Sequence, residues 1–290
     1  QLLALPDGGL NGTTLVAITD GDSSTTCALS VATTSIAVGA TNLIRLDGSS
    51  SGNTYLHEVS ADVVQIVAGG VVAFEGDANS RYSMSNNDSG TSNTIFGKNA
   101  GDMDGAGDYN VFIGELAGGS GTQTDASDNN VAVGYSALVA NTTGYGNVSI
   151  GKSSMAANTT GYWNIGIGLN SLDSNLGGAG NVAIGKEALQ ANTSANDNVA
   201  IGTYALKVNV TGGANVAMGF SALAANTGDN NTAVGTNALA ANIGADNNTA
   251  VGLSALASNT TGDRNVAVGA LALDANIGAD ANTAVGYDAL

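Results

Sequence analysis

The sequence predicts an all-β protein, an elongated β-solenoid or β-roll of 17-residue rungs. The first observation is a pentapeptide, Asn-x-x-x-Gly, that occurs twelve times with a step of 17 residues, apart from one step of 20 and one of 16. The second is that its central residues are mostly Val, Ile, Thr and Ala, of which the β-branched ones favour strands. The third is that glycine supplies 42 of 290 residues and charged residues only 11%. This composition suits short strands, many tight turns and a core of small side chains.

Residues 1–92 lack the repeat and are predicted to form a separate β-rich N-terminal region. Three of its segments each run from an apolar stretch to an acidic residue followed by glycine, at Asp20-Gly21, Asp47-Gly48 and Glu75-Gly76. Such segments are typical of strands that end in turns. A polar, glycine-containing break at residues 85–93 marks the predicted boundary with the repeats.

Residues 93–290 hold the twelve copies, and each rung is numbered here from its Asn as position 0. Positions 1–3 are predicted to form a short strand that the Gly at position 4 ends. Side chains alternate along a strand, so we expect positions 1 and 3, with the Leu of position 8, to be core columns. Position 2, mostly Ala, would face outward. The twelve Asn residues are Asn93, Asn110, Asn130, Asn147, Asn164, Asn181, Asn198, Asn215, Asn231, Asn248, Asn265 and Asn282.

The remainder of each rung is predicted to turn the chain. A short helical or 3₁₀ turn is expected between the Gly and position 11. Position 11 is Asn in nine successive copies, from Asn141 to Asn276, and stacked Asn side chains can satisfy one another along the axis. At about 4.8 Å per rung, the twelve copies predict a rod of roughly 55–60 Å.

The association state follows from the thin core and the small side chain at position 2. A slim coil gains stability by burying more surface, and Ala on an outer face permits close approach of another chain. These features predict an intertwined or side-by-side homotrimer; the alternative is a monomer in which Ala is simply tolerated at the surface.

The charge pattern excludes several partners. The net charge is −17, and the seven Lys and Arg residues are scattered singly, whereas phosphate binding requires clustered basic residues. We therefore expect no nucleic-acid partner and no membrane insertion, since no apolar run is long enough to span a bilayer. Cys27 is the only cysteine, so no intrachain disulfide can form.

No catalytic, cofactor-binding or metal site is predicted. His57 and Glu58 are adjacent and would face opposite sides of a strand. A row of carboxylates, Asp229, Asp246, Asp263 and Asp280, stacks near one position; bound Ca²⁺ or solvent screening would each relieve its repulsion. Tyr162 and Trp163 lie at a turn, where they could stack on sugar or cover the core. The sequons at Asn141, Asn158, Asn192 and Asn259 are interpreted as a by-product of the repeat.

The segments NVAIGKEAL (181–189), NTAVGTNAL (231–239) and NTAVGYDAL (282–290) resemble repeats of phage tail fibres and bacterial surface fibre proteins. Many of those proteins carry a self-cleaving C-terminal chaperone. The V-A-I-G core is also similar to the head repeats of trimeric autotransporter adhesins, although those repeats are nearer 14 residues. Residues 54–76 resemble a tail-fibre shaft segment. The last copy ends at position 8, Leu290, so we expect that a chaperone or receptor-binding head was either removed by maturation or belongs to a longer chain.

The resemblance implies a non-enzymatic structural subunit of a trimeric phage tail fibre, located in the virion. Its partners would be its own copies, virion or tail proteins at one end, and a host glycan or protein receptor reached through a tip. The first alternative is a bacterial extracellular adhesin or surface filament. A lower alternative is an ice-binding solenoid, which needs regular Thr rows, whereas position 1 supplies Thr only at Thr94, Thr232, Thr249 and Thr283.

Overall fold

The protein is all-β in the residues that its structure, a computed structural model, describes. These are residues 93–101, 107–119 and 127–290 in full, together with the backbone of five strands between residues 43 and 83. No helix occurs among them. Two sheets result, one antiparallel with five strands and one parallel with twelve.

The antiparallel sheet has its strands in chain order. β3 pairs with both β2 and β4, and the register shifts once in each pairing. β1 and β4 lie in two segments predicted to be strands, and β4 ends at the predicted Glu75-Gly76. The segment ending at Asp20-Gly21 lies outside the described residues. The five strands are β1 (Leu43–Arg45), β2 (Tyr55–Ser60), β3 (Val63–Ala68), β4 (Val71–Gly76) and β5 (Tyr82–Ser83).

The parallel sheet contains one three-residue strand per repeat, at the predicted positions 1–3. Equivalent positions pair in register, for example Val182 with Val199 and Ala183 with Ala200. The solenoid predicted from the 17-residue step is thereby confirmed. Its strands are β6 (Thr94–Phe96), β7 (Val111–Ile113), β8 (Val131–Val133), β9 (Val148–Ile150), β10 (Ile165–Ile167), β11 (Val182–Ile184), β12 (Val199–Ile201), β13 (Val216–Met218), β14 (Thr232–Val234), β15 (Thr249–Val251), β16 (Val266–Val268) and β17 (Thr283–Val285).

The predicted helical turn in each rung is wrong. Positions 6 and 8 both have left-handed backbone, as at Tyr204 (φ 63°) and Leu206 (φ 50°). As a result, the N–H groups of positions 6 and 8 point in opposite directions along the axis. Tyr204 donates to Lys186 in the preceding rung, and Leu206 donates to Ala222 in the following one. These two N–H groups therefore bond to neighbouring rungs, where those of a helix would bond within the helix.

The predicted orientation of the strands is also wrong. The small residue at position 2 lies in the core, as at Ala183 and Ala200, which are fully buried. Positions 1 and 3 face outward, and Met218 at position 3 is 42% exposed. Leu at position 8 is buried as predicted, for example Leu206. The physical reason is space: Leu and a second small residue at position 7 fill the rung from the opposite side, which leaves room for little more than Ala.

The first two rungs show the same constraint with the large and small residues exchanged. Position 2 is Phe112 and position 8 is Gly118, where later rungs have Ala132 and Leu138. A Cβ atom at Gly118 would lie 2.3 Å from the Phe112 ring. The combined volume of positions 2 and 8 is roughly conserved, because close-packed cores tolerate neither voids nor overpacking.

A buried serine pair replaces Ala at position 7 in two rungs. Ser154 Oγ lies 2.9 Å from Ser171 Oγ and donates to the Gly166 carbonyl at 2.9 Å. Position 2 of the intervening strand is Gly166, where a Cβ atom would lie only 2.7 Å from Ser154 Oγ. The glycine therefore makes room for the hydroxyl.

We expect Gly166→Ala to lower the free energy of unfolding by about 1–2 kcal/mol, although Ala occupies this position in most rungs. The double variant Gly166→Ala/Ser154→Ala should be more stable than the sum of the two single effects, because the added methyl then meets no hydroxyl. Denaturant unfolding of all four proteins measures this coupling. Strict additivity would contradict the steric explanation.

Two columns of buried Asn side chains run along the solenoid, as predicted for positions 0 and 11. Asn164 Nδ2 donates to Gly178 O at 2.8 Å, and Asn164 Oδ1 accepts from the Asn181 backbone at 3.0 Å. In the second column, Asn175 Nδ2 donates to Asn158 Oδ1 at 2.7 Å. The column at position 11 is interrupted after Asn192, whose Oδ1 lacks a partner. The amides of the four sequons belong to this buried column, which agrees with their interpretation as structural residues.

Candidate binding surfaces

The first surface is the outer sheet face, defined as positions 1 and 3 of strands β6–β17. It consists of Val, Ile, Thr, Met and one Phe, with no charged residue. Its position 3 side chains are exposed or half-buried, including Ile113, Ile150, Ile184 and Val268. Because identical positions pair in register, the face is two straight columns that extend for roughly 55 Å at ~4.8 Å per rung. Contiguous apolar surface of this extent marks an interaction site in soluble proteins.

The second surface is the aromatic cluster, formed by Tyr145, Tyr162 and Trp163. The two Tyr rings stack 5.1 Å apart and nearly parallel. Trp163 stands almost perpendicular to both, at 5.9 Å from Tyr145 and 5.2 Å from Tyr162. Its side chain is 64% exposed. The indole therefore lies on the surface, packed against the two Tyr rings.

A basic and aromatic corner, formed by Lys186, Glu187, Tyr204 and Lys207, lies in the turns that follow β11 and β12. Lys207 Nζ contacts Glu187 at 2.8 Å and lies 4.7 Å from the Tyr204 ring centre. Lys186, at position 5 of the preceding rung, has its Nζ 5.5 Å from the centre of the same ring. The hydrogen bond from Lys207 lowers the pKa of Glu187, and the hydrogen bond with Tyr204 raises the pKa of Lys186. The charged groups of the corner pair with one another at an exposed site, so the corner contributes little to the stability of the fold.

The row of carboxylates is hydrogen-bonded to the backbone of the preceding rung. Asp246 Oδ1 accepts from Asp229 N at 2.7 Å, and Asp263 Oδ1 accepts from Asp246 N at 2.9 Å. Asp280 Oδ1 accepts from Asp263 N at 2.9 Å. Each of these hydrogen bonds joins one rung to the next. The row is thus a further ladder, separate from the two Asn columns, and its contacts account for the recurrence of Asp.

The fully described residues contain no group of three or more His, Cys, Asp and Glu residues placed to hold a metal ion. His57 lies in β2 opposite Leu43 and Gln65, and Cys27 lies outside the described residues. Gly166 and Gly168 belong to β10 and its end, not to a glycine-rich loop before a helix. Within the described part of the chain, no helix is long and apolar enough to cross a membrane.

Sequence reasoning identified Tyr162 and Trp163 but not the contact of Tyr145 with them, and it misplaced the outer sheet face. The stacking of Tyr145 on Tyr162 could have been inferred, because they are 17 residues apart and so occupy one position in successive rungs. The outer sheet face was misplaced because the inward and outward positions of each strand were exchanged.

The chain matches no protein-family model, and no curated protein or solved structure is significantly similar to it. Its function is therefore argued from the surfaces themselves.

Proposed function

We propose that this chain is a structural subunit of a homotrimeric phage tail fibre, which projects a receptor-binding tip for attachment to the host. The observation that carries the proposal is the outer sheet face: an uncharged, predominantly apolar strip that runs along all twelve strands. A rod with such a strip would aggregate unless a partner covers it.

Further copies of the same chain fit this strip. A symmetry axis parallel to the solenoid would bring the same columns of different chains together along the whole length, because every rung presents the same two positions. The strip is only two side chains wide, which suits the convergence of three chains on one axis. Cyclic symmetry of this kind closes without leaving an apolar face exposed.

The mechanism we propose is mechanical. Hydrogen bonds between rungs and the two buried Asn columns stiffen each solenoid along its length. Three parallel chains would then present three equivalent tips, and simultaneous attachment of several tips raises the effective affinity for a repeated host receptor. The large negative charge, −17 per chain, keeps such fibres apart in solution.

Light scattering or native mass spectrometry tests the association state. We expect a mass three times the 28.2 kDa of one chain. Ile184→Glu should dissociate the trimer, because three copies of the new carboxylate would be buried near one axis. Ile184 points away from the core, so the fold of each chain should be retained.

Ile243→Glu is the matched control. Ile243 is 56% exposed in the turn at position 12, outside the sheet, and this variant should remain trimeric. A monomer or dimer for the unsubstituted chain would contradict the trimer. A trimer that Ile184→Glu leaves intact would show that the outer sheet face is not the interface.

The fibre's biological setting has its own test. Gold-labelled antibody against the chain should decorate phage tails in electron micrographs. Decoration of bacterial cell surfaces instead would favour the adhesin or surface filament, which has the same architecture.

A further inference from the structure

Two columns of side chains flank the outer sheet face, one before each strand and one after it. The leading column consists of the two residues that precede the Asn of each rung, and the trailing column is position 5. The aromatic cluster lies in the leading column, where Trp163 is 64% exposed. Leu169 lies in the trailing column at the other end of β10 and is 40% exposed.

The leading and trailing columns of one chain lie at opposite edges of the sheet face. Trp163 and Leu169 are six residues apart, and the extended strand β10 lies between them. At ~3.3 Å per residue they are separated by up to roughly 20 Å. The indole is turned along the solenoid, since its Cδ1 lies 2.7 Å from where a Cβ atom of Gly146 would be. A single chain therefore leaves the aromatic cluster and Leu169 exposed and apart.

Three-fold symmetry would bring these opposite edges together. This step rests on the homotrimer proposed above, in which the outer sheet faces surround an axis parallel to the solenoid. Equivalent strands then run in the same sense around the axis, so the end of a strand in one chain meets the start of the equivalent strand in the next chain. Because a pure rotation involves no shift along the axis, the two columns meet rung by rung.

The aromatic cluster finds suitable neighbours in this pairing. Leu169 of one chain meets Tyr162 and Trp163 of the next, which buries apolar surface on both sides. Lys152, one rung earlier, is exposed and meets Tyr145 and the edge of the indole that leans over Gly146. An ammonium group near the face of an aromatic ring is attracted by it.

The sizes of the side chains also match at a second height. Phe220 is 50% exposed in the trailing column, and its rung has Gly213 and Ala214, both small, in the leading column. A displacement of one rung in either direction would place Phe220 against Asp197 or Asp229. Among the described rungs, only that of Asn110 opposes two acids, which are Glu115 and Asp108.

We propose that the leading and trailing columns form a seam between neighbouring copies of this chain, in which Leu169 and Lys152 of one copy cover the aromatic cluster of the next. The seam sets the register of the trimer. The outer sheet face alone cannot do so, because a displacement of one rung, ~4.8 Å, brings similar residues together again. The aromatic cluster and Phe220 do not recur in every rung, so they distinguish the correct register from a displaced one.

Chemical cross-linking tests the seam directly. In a Cys27→Ser background, the double variant Trp163→Cys/Leu169→Cys is treated with a bismaleimide whose spacer is much shorter than the roughly 20 Å between these residues within one chain. We expect covalent dimers and trimers on a denaturing gel. The single variants Trp163→Cys and Leu169→Cys are the matched controls. They should give at least tenfold less cross-linked product, because the three copies of one position lie at separate corners of the trimer.

The effect on assembly is measured with two leucines of the same rung. Leu169→Asp places a carboxylate against the aromatic cluster and should raise the concentration needed for trimer formation about tenfold or more. Leu176→Asp is the control, since Leu176 is 49% exposed at position 12, outside both columns, and its variant should assemble like the unsubstituted chain. Analytical ultracentrifugation over a concentration series measures both, and a circular-dichroism melt verifies each fold.

The outcomes separate a failure of the seam from a failure of the trimer. A monomeric unsubstituted chain would overturn both. A trimer that is not cross-linked through residues 163 and 169, or that assembles equally well with either Asp variant, would leave the fibre proposal standing and overturn the seam. Equal cross-linking of the single and double variants would also overturn it. If the cysteine variants failed to fold, the comparison of Leu169→Asp with Leu176→Asp would still decide the question.

Discussion

Gly202→Ala should lower the free energy of unfolding by at least about 3 kcal/mol. Gly202 ends strand β12 with φ +131°, a backbone conformation that L side chains rarely adopt. A Cβ atom there would also lie 2.5 Å from the carbonyl oxygen of Gly219 in the next rung. The clash is with backbone, and every rung but the last repeats the same contact, so the stack cannot relax locally. Urea unfolding followed by circular dichroism measures the loss.

Gly244→Ala is the control for this variant. Gly244 is exposed, lacks the positive φ, and no heavy atom lies within 4 Å of the position its Cβ would take. The substitution should be neutral or slightly stabilising, by up to about 1 kcal/mol, because it restricts the unfolded chain. Equal losses for the two variants would show that the close approach between rungs is not what requires glycine at position 4.

Asn164→Ala should cost about 3 kcal/mol or more, since it leaves buried polar groups without partners. The Asn164 amide donates to Gly178 O and accepts from the backbone and the side chain of Asn181. A methyl group replaces none of these bonds. Amide hydrogen exchange should show faster exchange at Asn181 N–H, together with the lower unfolding free energy.

Asn230→Ala tests whether the effect belongs to the ladder. Asn230 is exposed at the left-handed position before Asn231, where other rungs have Ala214 and Ala281. Its replacement should cost no more than about 1 kcal/mol, because Asn adopts left-handed backbone somewhat more readily than Ala does. If Asn164→Ala were as mild as this control, the buried Asn columns would not be a principal source of stability.

The large effects of Gly202→Ala and Asn164→Ala have the same origin, the stacking of the rungs in a single row. Each rung contacts only its neighbours, so the stability of a solenoid depends on the interfaces between rungs. Gly202 and Asn164 act at such interfaces, whereas Gly244 and Asn230 do not. A defect at a central rung therefore weakens the coupling between the two halves of the stack.

The sequence by itself determined the repeat, the strand positions and the two Asn columns, because a 17-residue step forces equivalent residues into register. It also identified the Leu column and the glycine that ends each strand. It could not decide which face of a three-residue strand points inward. Val at position 1 and Val or Ile at position 3 favour a core on hydrophobicity alone, and Ala at position 2 is compatible with either side.

Only the tertiary structure decided that question. The turn at positions 7 and 8 comes so close to the strand that only small residues fit at position 2, while Phe112 is accommodated opposite Gly118. The same structure replaced the predicted helical turn with left-handed residues whose N–H groups bond to neighbouring rungs. Local pattern specifies the rung, and packing between its two sides determines which residues remain outside to bind a partner.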